Sequence, residues 1–168
     1  LFVKFRVMLS GNEMAITTTD FGTNDVETVN LVFSRAADID DAAEFNIADI
    51  NSSHTTLTLA GTADVTINAK DSAATVTSTV VGDVDLTIGA VDADITMGAG
   101  DDTVIFAGTL TSADEVDGGD GADTITATMA AGTHAVTLTG VETASLVFDD
   151  GNETFSGVNS TGLTTIVV

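Results

Sequence analysis

The stretch "VDGGDGADTIT", residues 116–126, combines three glycines with three aspartates and contains no lysine or arginine. Its last nine residues, 118–126, follow the pattern G-G-x-G-x-D-x-U-x, in which U is an apolar residue. Glycine permits the positive φ angles of a tight turn, and the alternation after Asp123 points Ile125 to one side of a strand. The stretch therefore predicts a glycine-rich turn that leads into a short strand, with Ile125 facing a core.

A similar unit, an aspartate followed by a strand-like triplet, recurs along the middle of the chain. It begins at residues 64, 85, 94, 102, 114 and 123, and "TVTS" at residue 75 fills the gap without an aspartate. Alternate starts lie 17 to 21 residues apart, which suits a coil of two short strands and two turns. We therefore predict an all-β fold, a parallel β-solenoid (a β-helix or β-roll) with about 17–21 residues per coil in its central part.

The segments on either side of residues 60–126 also predict strands. These lie at 28–33, 55–59, 135–139, 143–148 and 163–168. The opening "LFVKFRVMLS" alternates apolar and basic residues, as in a half-buried strand. For residues 35–50 two interpretations stay open, a short helix or further rungs of the solenoid. Because no long polar linker interrupts the chain, we expect residues 1–168 to form one continuous domain.

The chain holds two copies of a longer repeat, near residues 26–59 and 141–168. "VETVNLVF" in the first copy returns as "VETASLVF" in the second, and "DINSSHTTLTL" in the first resembles "GVNSTGLTTIVV" in the second. The repeat places Phe33 and Phe148 at equivalent positions, where we expect core residues. One module followed by the start of another predicts that the chain is a segment of a longer repeat protein.

The excess of acidic over basic side chains limits the classes of molecule that the chain could bind. The chain carries 26 acidic and 4 basic side chains, a formal net charge of -22. Nucleic acid is excluded because phosphate contacts need Lys and Arg, and an anionic membrane surface is disfavoured for the same reason. No apolar run reaches the roughly 18 residues of a membrane span, so we expect no membrane insertion. The chain has no cysteine, and its charge favours cations or basic partners.

Calcium is the cation that suits the glycine-rich turn. Ca²⁺ takes roughly six to eight oxygen ligands at about 2.3–2.6 Å, and such a turn supplies backbone carbonyls together with an aspartate. A second copy of the pattern, "MGAGDDTVI" at 97–105, lies one coil before the first. Because of that spacing, we expect the two turns to stack with a calcium ion between them.

A degenerate copy of the pattern at 109–117 keeps Asp114 and Val116. The coil length places it on the opposite turn, where Asp92 and Asp94 are the expected stacked partners of Asp114. The calcium-binding part of the chain is therefore predicted at 91–126. The predicted metal ligands are Gly98, Gly100, Asp102, Gly119, Gly121, Asp123, Asp94 and Asp114.

The sequence shows no catalytic pattern, so we expect a protein that is not an enzyme. His54 and His134 lie far apart in the chain without metal-ligand spacing, and each is interpreted as a strand-end residue. There is no G-x-S-x-G and no P-loop. Paired carboxylates are so abundant that they do not indicate acid–base catalysis.

Residues 97–148 resemble the RTX-type surface-layer and cell-surface proteins of Gram-negative bacteria. The resemblance is carried by "GAGDDTVIFAGTLTSADEVDGGDGADTIT", which begins at Gly98, and by "GVETASLVF" at 140–148. It implies a calcium-stabilised β-solenoid that is secreted through a type I apparatus and folds outside the cell. The chain departs from the family in having one complete nonapeptide and no recognisable secretion signal or anchoring region. Secretion and attachment to cell-surface polysaccharide therefore follow from the resemblance alone.

We accordingly expect an extracellular, calcium-binding structural protein, a segment of a self-assembling surface layer or surface filament whose copies associate through calcium. Two alternatives stay open. One is a stalk module of a large RTX adhesin, and the other is the non-catalytic β-roll of a secreted enzyme. A lattice of identical subunits would favour the first reading, whereas a ligand-binding tip or a neighbouring protease or lipase motif would favour the alternatives.

Overall fold

The chain forms a β-solenoid. The computed structural model describes residues 2–8, 13–16, 19–20, 28–34, 44–47, 50–51, 56–69, 75–89, 92–149 and 151–168. Within these residues every element is a strand, apart from one 3₁₀ helix. The strands form two large parallel sheets and two small ones, which confirms the predicted all-β solenoid.

The strands are given in their order across each sheet. The seven-stranded sheet contains β1 (Phe2–Met8), β4 (Thr28–Ser34), β7 (Thr56–Gly61), β9 (Thr75–Val80), β11 (Asp94–Thr96), β13 (Glu115–Asp117) and β16 (Thr137–Thr139). The eight-stranded sheet contains β2 (Glu13–Ile16), β5 (Glu44–Ile47), β8 (Asp64–Ala69), β10 (Val84–Ile88), β12 (Thr103–Leu110), β14 (Thr124–Met129), β17 (Thr143–Val147) and β19 (Thr165–Val167). The small sheets pair β3 (Thr19–Asp20) with β6 (Ile50–Asn51) and β15 (Gly132–His134) with β18 (Glu153–Phe155), and the 3₁₀ helix spans Gly157–Asn159.

Each coil contributes one strand to each large sheet, so the chain alternates between the two sheets as it advances. The coil length is the sequence separation between two residues that pair in adjacent strands of one sheet, and we call it a step. From β7 to β19 the shortest step is that from Asp85 to Thr103. The longest steps include that from Glu115 to Thr137. These steps agree with the predicted coil length to within a single position. Before β7 some steps are much longer, such as the one from Glu13 to Glu44.

Apolar side chains from both large sheets fill one core. Because consecutive coils are in register, each strand residue stacks on its equivalent in the next coil, and every second residue faces the core. A column in the seven-stranded sheet contains Val29, Leu57, Val76, Ile95, Val116 and Leu138, all buried. Ile125 is fully buried, as predicted. Of the two equivalent repeat residues, Phe33 is fully buried and Phe148 packs partly buried against the core.

From β9 onward, the turns that lead from the seven-stranded to the eight-stranded sheet form a stack that we call the glycine-rich turn. It consists of residues 81–83, 97–102, 118–123 and 140–142. Backbone hydrogen bonds continue through it from coil to coil. Ala99 N donates to Val80 O at 3.0 Å, and Asp120 N donates to Gly98 O at 3.1 Å. The turn therefore extends the sheet ladder instead of interrupting it.

Two positions of this turn can hold only glycine. Gly119 has a φ of 91° and Gly121 a φ of 139°, a region that other residues rarely adopt. A Cβ at Gly119 would collide with the carbonyl of Gly98, and one at Gly121 with the carbonyl of Gly100. Successive turns thus lie backbone on backbone, which fixes the spacing of the coils at this edge.

Most strand predictions are confirmed. β4, β7, β17 and β19 match the segments predicted at 28–33, 55–59, 143–148 and 163–168 closely at both ends. The strand predicted at 135–139 is confirmed only over its last three residues, because β16 begins at Thr137, and residues 135–136 connect it to β15, which belongs to a separate small sheet. In 35–50 the rung interpretation is right at β5, and residues 35–43 lie outside the described part of the chain.

The two copies of the long repeat form the same strand pair in different sheets. Thr28 of the first copy pairs with Thr56, and the equivalent Thr143 of the second copy pairs with Thr165. The first pair belongs to the seven-stranded sheet and the second to the eight-stranded sheet. The repeat is therefore preserved in strand register, whereas its copies lie on opposite sides of the solenoid.

Replacing Gly121 with alanine tests the close contact between turns. We expect Gly121→Ala to lower the free energy of unfolding by about 3 kcal/mol or more, because the new Cβ meets a carbonyl in a φ region closed to alanine. Gly151→Ala is the matched control. Its φ is also positive, at 68°, but nothing lies within 4 Å of the added Cβ, so only the roughly 1–2 kcal/mol of left-handed strain applies. Equal losses in thermal or denaturant melts would contradict the turn packing.

Candidate metal centre

The glycine-rich turn brings together six of the eight predicted metal ligands. Coil 97–102 holds Gly98, Gly100 and Asp102, and coil 118–123 holds Gly119, Gly121 and Asp123. Ala99 pairs with Asp120 across the two turns. The turns therefore stack one coil apart, as their spacing in the sequence predicted.

Asp102 and Asp123 are 1% and 2% exposed. One oxygen of each carboxylate accepts a hydrogen bond from the preceding coil. Val84 N donates to Asp102 Oδ1 at 2.8 Å, and Asp102 N donates to Asp123 Oδ1 at 2.8 Å. Glu142 repeats the contact one coil further, where its Oε2 accepts from Asp123 N at 2.7 Å. The three residues form an inner acidic column in which each carboxylate binds the backbone of the coil before it.

The second oxygen of both aspartates, Oδ2, is buried and has no hydrogen-bond partner among the described residues. A buried carboxylate oxygen without a partner is destabilising. Asp123 Oδ2 faces the backbone of Gly118, where an added Cβ would lie 2.5 Å from it. The turn thus buries two acceptors that a bound group can satisfy.

Burial raises the pKa of Asp102 to about 7, and the charge of Asp123 raises it further, whereas the backbone N–H groups of Val84 and Gly98 lower it. Burial likewise raises the pKa of Asp123 to about 6, and the charge of Glu142 contributes to the rise. Desolvation disfavours the ionised form of both groups. Either a proton or a cation relieves this unfavourable burial.

An outer acidic column lies beside the inner one and binds in the opposite direction. Asp101 N donates to Asp83 Oδ1 at 2.8 Å, and Ala122 N donates to Asp101 Oδ1 at 2.9 Å. Sequence reasoning missed Asp83 and Glu142 because neither belongs to a complete glycine pattern. The available signal was spacing, since Glu142 follows Asp123 by about one coil.

Of the glycine carbonyls predicted as ligands, those of Gly98 and Gly100 face the next coil. Gly98 O accepts a hydrogen bond from Asp120 N at 3.1 Å, and Gly100 O lies against Gly121. A carbonyl oxygen has two lone pairs, so one hydrogen bond leaves Gly98 O with acceptor capacity for a cation.

Asp114 lies on the opposite turn, as predicted, and both of its carboxylate oxygens accept hydrogen bonds. Ala93 N donates to Asp114 Oδ1 at 2.9 Å, and Thr111 N donates to Oδ2 at 2.7 Å. Asp94 is exposed at the start of β11 and pairs with Glu115. Both carboxylate oxygens of Asp114 thus have donors, whereas Asp102 and Asp123 in the glycine-rich turn each keep one oxygen without a donor.

His134 is the last residue of β15, as predicted for a strand-end residue. Ser112 N donates to its Nδ1 at 3.2 Å, and its Nε2 lies 3.1 Å from Ala131 O. The ring therefore ties two loops together. His54 lies outside the described residues.

The described part of the chain contains no group of three His, Asp or Glu side chains that could hold a metal ion by themselves. A cation at the glycine-rich turn therefore needs backbone carbonyls as well as carboxylates. Of the described residues, none belongs to a helix long and apolar enough to span a membrane.

Comparison with protein-family models, with curated proteins and with solved structures found no match to this chain. Function is therefore inferred from the residues and geometry of the glycine-rich turn and from the resemblance that the sequence of residues 97–148 carries.

The raised pKa values predict how the calcium-free protein responds to pH. Because the folded-state values lie near 7 and 6 against an ordinary 3.8, the folded state keeps protons that the unfolded state has lost. This stabilisation is complete at low pH and disappears as the pH rises through these values. With EGTA present, we expect the melting temperature to fall by several degrees between about pH 5 and about pH 8.

Asp102→Asn separates this effect from general charge repulsion, because the amide stays neutral and keeps an acceptor for Val84 N. Its melting temperature should depend less on pH than that of the native chain. Asp120→Asn, at an exposed position, is the control and should keep the native pH dependence. Equal slopes for the native chain and Asp102→Asn would contradict the assignment.

Proposed function

We propose that this chain is a calcium-binding structural protein of the cell surface, a segment of a self-assembling surface layer or surface filament. The observation that carries the proposal is the pair of buried aspartate oxygens without partners, Asp102 Oδ2 and Asp123 Oδ2, on adjacent coils of the glycine-rich turn. A divalent cation would give both oxygens a positively charged partner.

Calcium is favoured by the donor atoms of the turn. The turn offers oxygens, from the carboxylates of Asp102 and Asp123 and from the carbonyls of Gly98, Gly100, Gly119 and Gly121. Calcium takes oxygen ligands in flexible geometry, whereas magnesium demands a near-ideal octahedron. Zinc prefers nitrogen and sulfur ligands, and the chain has no cysteine. Since the proposed set has two carboxylates, we expect a dissociation constant of about 10⁻⁴–10⁻³ M, as in extracellular calcium modules.

Three features support a structural role outside the cell. A solenoid presents long, regular faces and depends on contacts between neighbouring coils, which suits a rigid scaffold. The net charge of -22 makes lateral contact between copies dependent on bridging cations. The resemblance of residues 97–148 to RTX surface proteins supports type I secretion and folding after export.

Removal of calcium should unfold or strongly destabilise the protein, because stacked carboxylates then repel one another without a counter-cation. Circular dichroism of the chain in EGTA, followed by calcium addition, measures this directly. Magnesium at the same concentration is the control and should restore less structure. A β spectrum and melting curve unaffected by EGTA and calcium would refute the proposal.

Asp123→Asn should raise the calcium concentration at the folding midpoint by about tenfold or more, because affinity depends on ligand charge. The substitution keeps an oxygen for the hydrogen bond from Asp102 N, so its effect reports the charge. Asp120→Asn, in the same turn and exposed, is the matched control and should change the midpoint little. Equal shifts in a calcium titration would place the ion elsewhere.

A further inference from the structure

The turn at residues 140–142 continues the stack of the glycine-rich turn without carrying the glycine–aspartate pattern. It reads Gly-Val-Glu, and the complete nonapeptide ends at Thr126. Gly118 N donates to Thr139 O at 2.8 Å, and a Cβ added at Gly140 would lie 2.9 Å from Gly119 O. The turn 140–142 therefore packs closely against the turn 118–123, on the side that faces away from 97–102.

The buried oxygen of Asp123 that has no partner lies beside this packed turn. A Cβ added at Gly118 would be 2.5 Å from Asp123 Oδ2 and 2.2 Å from Gly140 O, so the two oxygens converge on one place next to Gly118. Asp123 is 2% exposed, and its Oδ2 has no hydrogen-bond partner among the described residues. Two acceptors this close are unfavourable without a donor or a cation to bind them. Their separation suits one calcium ion, whose oxygen ligands lie about 2.3–2.6 Å from it.

Turn 140–142 also brings negative charge to this place. Glu142 Oε2 accepts a hydrogen bond from Asp123 N at 2.7 Å, which holds the two residues next to each other. Burial raises the pKa of Asp123 most, and the charge of Glu142 raises it further, more than those of Asp101 and Asp117. Asp123 is thus coupled to the coil that follows it.

The charge of the inner acidic column favours more than one ion. The column contains three carboxylates, those of Asp102, Asp123 and Glu142. One divalent ion leaves part of this charge without a counter-ion in a buried turn, where an ionised carboxylate is disfavoured. Two divalent ions offset all three carboxylates.

We propose that the turns 118–123 and 140–142 bind a second calcium ion, held by Asp123 Oδ2, Gly140 O and Glu142. The inference rests on calcium binding in the proposed function and adds a site one coil beyond the ion between the turns 97–102 and 118–123. Asp123 belongs to both sites. Because the described residues contain no group of three His, Asp or Glu side chains that could hold a metal, this ion needs the carbonyl of Gly140 and water as further ligands.

Counting the bound calcium ions tests the second site. Glu142→Gln keeps an oxygen that can accept from Asp123 N and removes one charge. In equilibrium dialysis at millimolar calcium it should bind about one ion fewer per chain than the native protein. Asp120→Asn, exposed in the turn 118–123, removes the same charge outside the proposed ligands and should bind as many ions as the native chain. Equal counts for Glu142→Gln and the native chain would overturn the second site.

Crystals of the native protein grown with terbium, which takes the oxygen ligands of calcium, locate the ions without any substitution. We expect an anomalous-difference peak within about 2.6 Å of Asp123 Oδ2 and Gly140 O, and a separate peak beside Asp102. The native chain is used, so this measurement decides the question even if Glu142→Gln fails to fold.

The same map separates this inference from the proposed function. A peak beside Asp102 alone overturns the second ion and leaves the proposed calcium binding intact. A peak beside Gly140 alone supports the second site and contradicts the ion between the turns 97–102 and 118–123. The absence of both peaks, together with no calcium uptake in dialysis, overturns both proposals.

Discussion

Contact between the backbones of successive coils at the glycine-rich turn is the constraint on which the rest of the structure depends. Glycines bring the turns close enough for ladder hydrogen bonds to continue between the sheets. With that edge fixed, each strand lies directly on its equivalent, and the apolar columns follow from the register. The same stacked turns bury Asp102 and Asp123, whose Oδ1 atoms accept hydrogen bonds from the preceding coil. Core packing and the acidic site are therefore two results of one geometric condition.

The acidic residues of the turn perform two roles that conflict. As acceptors for backbone N–H groups they stabilise the stack, and the inner and outer columns bind coils in opposite directions. As charges they repel one another, and burial intensifies the penalty for Asp102 and Asp123. Asp114 on the opposite turn avoids the conflict because donors satisfy both of its oxygens. This contrast explains why carboxylates that look equivalent in the sequence differ in how fully their oxygens are hydrogen-bonded.

The sequence predicts the solenoid well because its signals are local and periodic. The spacing of aspartate-led strands gives the coil length, and the complete nonapeptide at 118–126 locates the turn with the buried aspartates. Spacing alone does not tell which carboxylates are satisfied by backbone donors, so Asp114 and Asp123 were given the same role. Glu142 and Asp83 were missed because their part in the acidic columns depends on the neighbouring coil. The break at residues 135–136 escaped prediction for a similar reason, since it depends on pairing between β15 and β18.

The placement of the long repeat has a consequence for the surface of the solenoid. The outward positions of β4 read Thr28, Asn30 and Val32, and those of the equivalent β17 read Thr143, Ser145 and Val147. Because these strands belong to different sheets, nearly the same chemical pattern appears on both broad sides of the molecule. The solenoid thus presents similar outward side chains on both broad sides. A neighbouring molecule that recognises the pattern of β4 on one side would find the similar pattern of β17 on the other side, displaced along the solenoid axis.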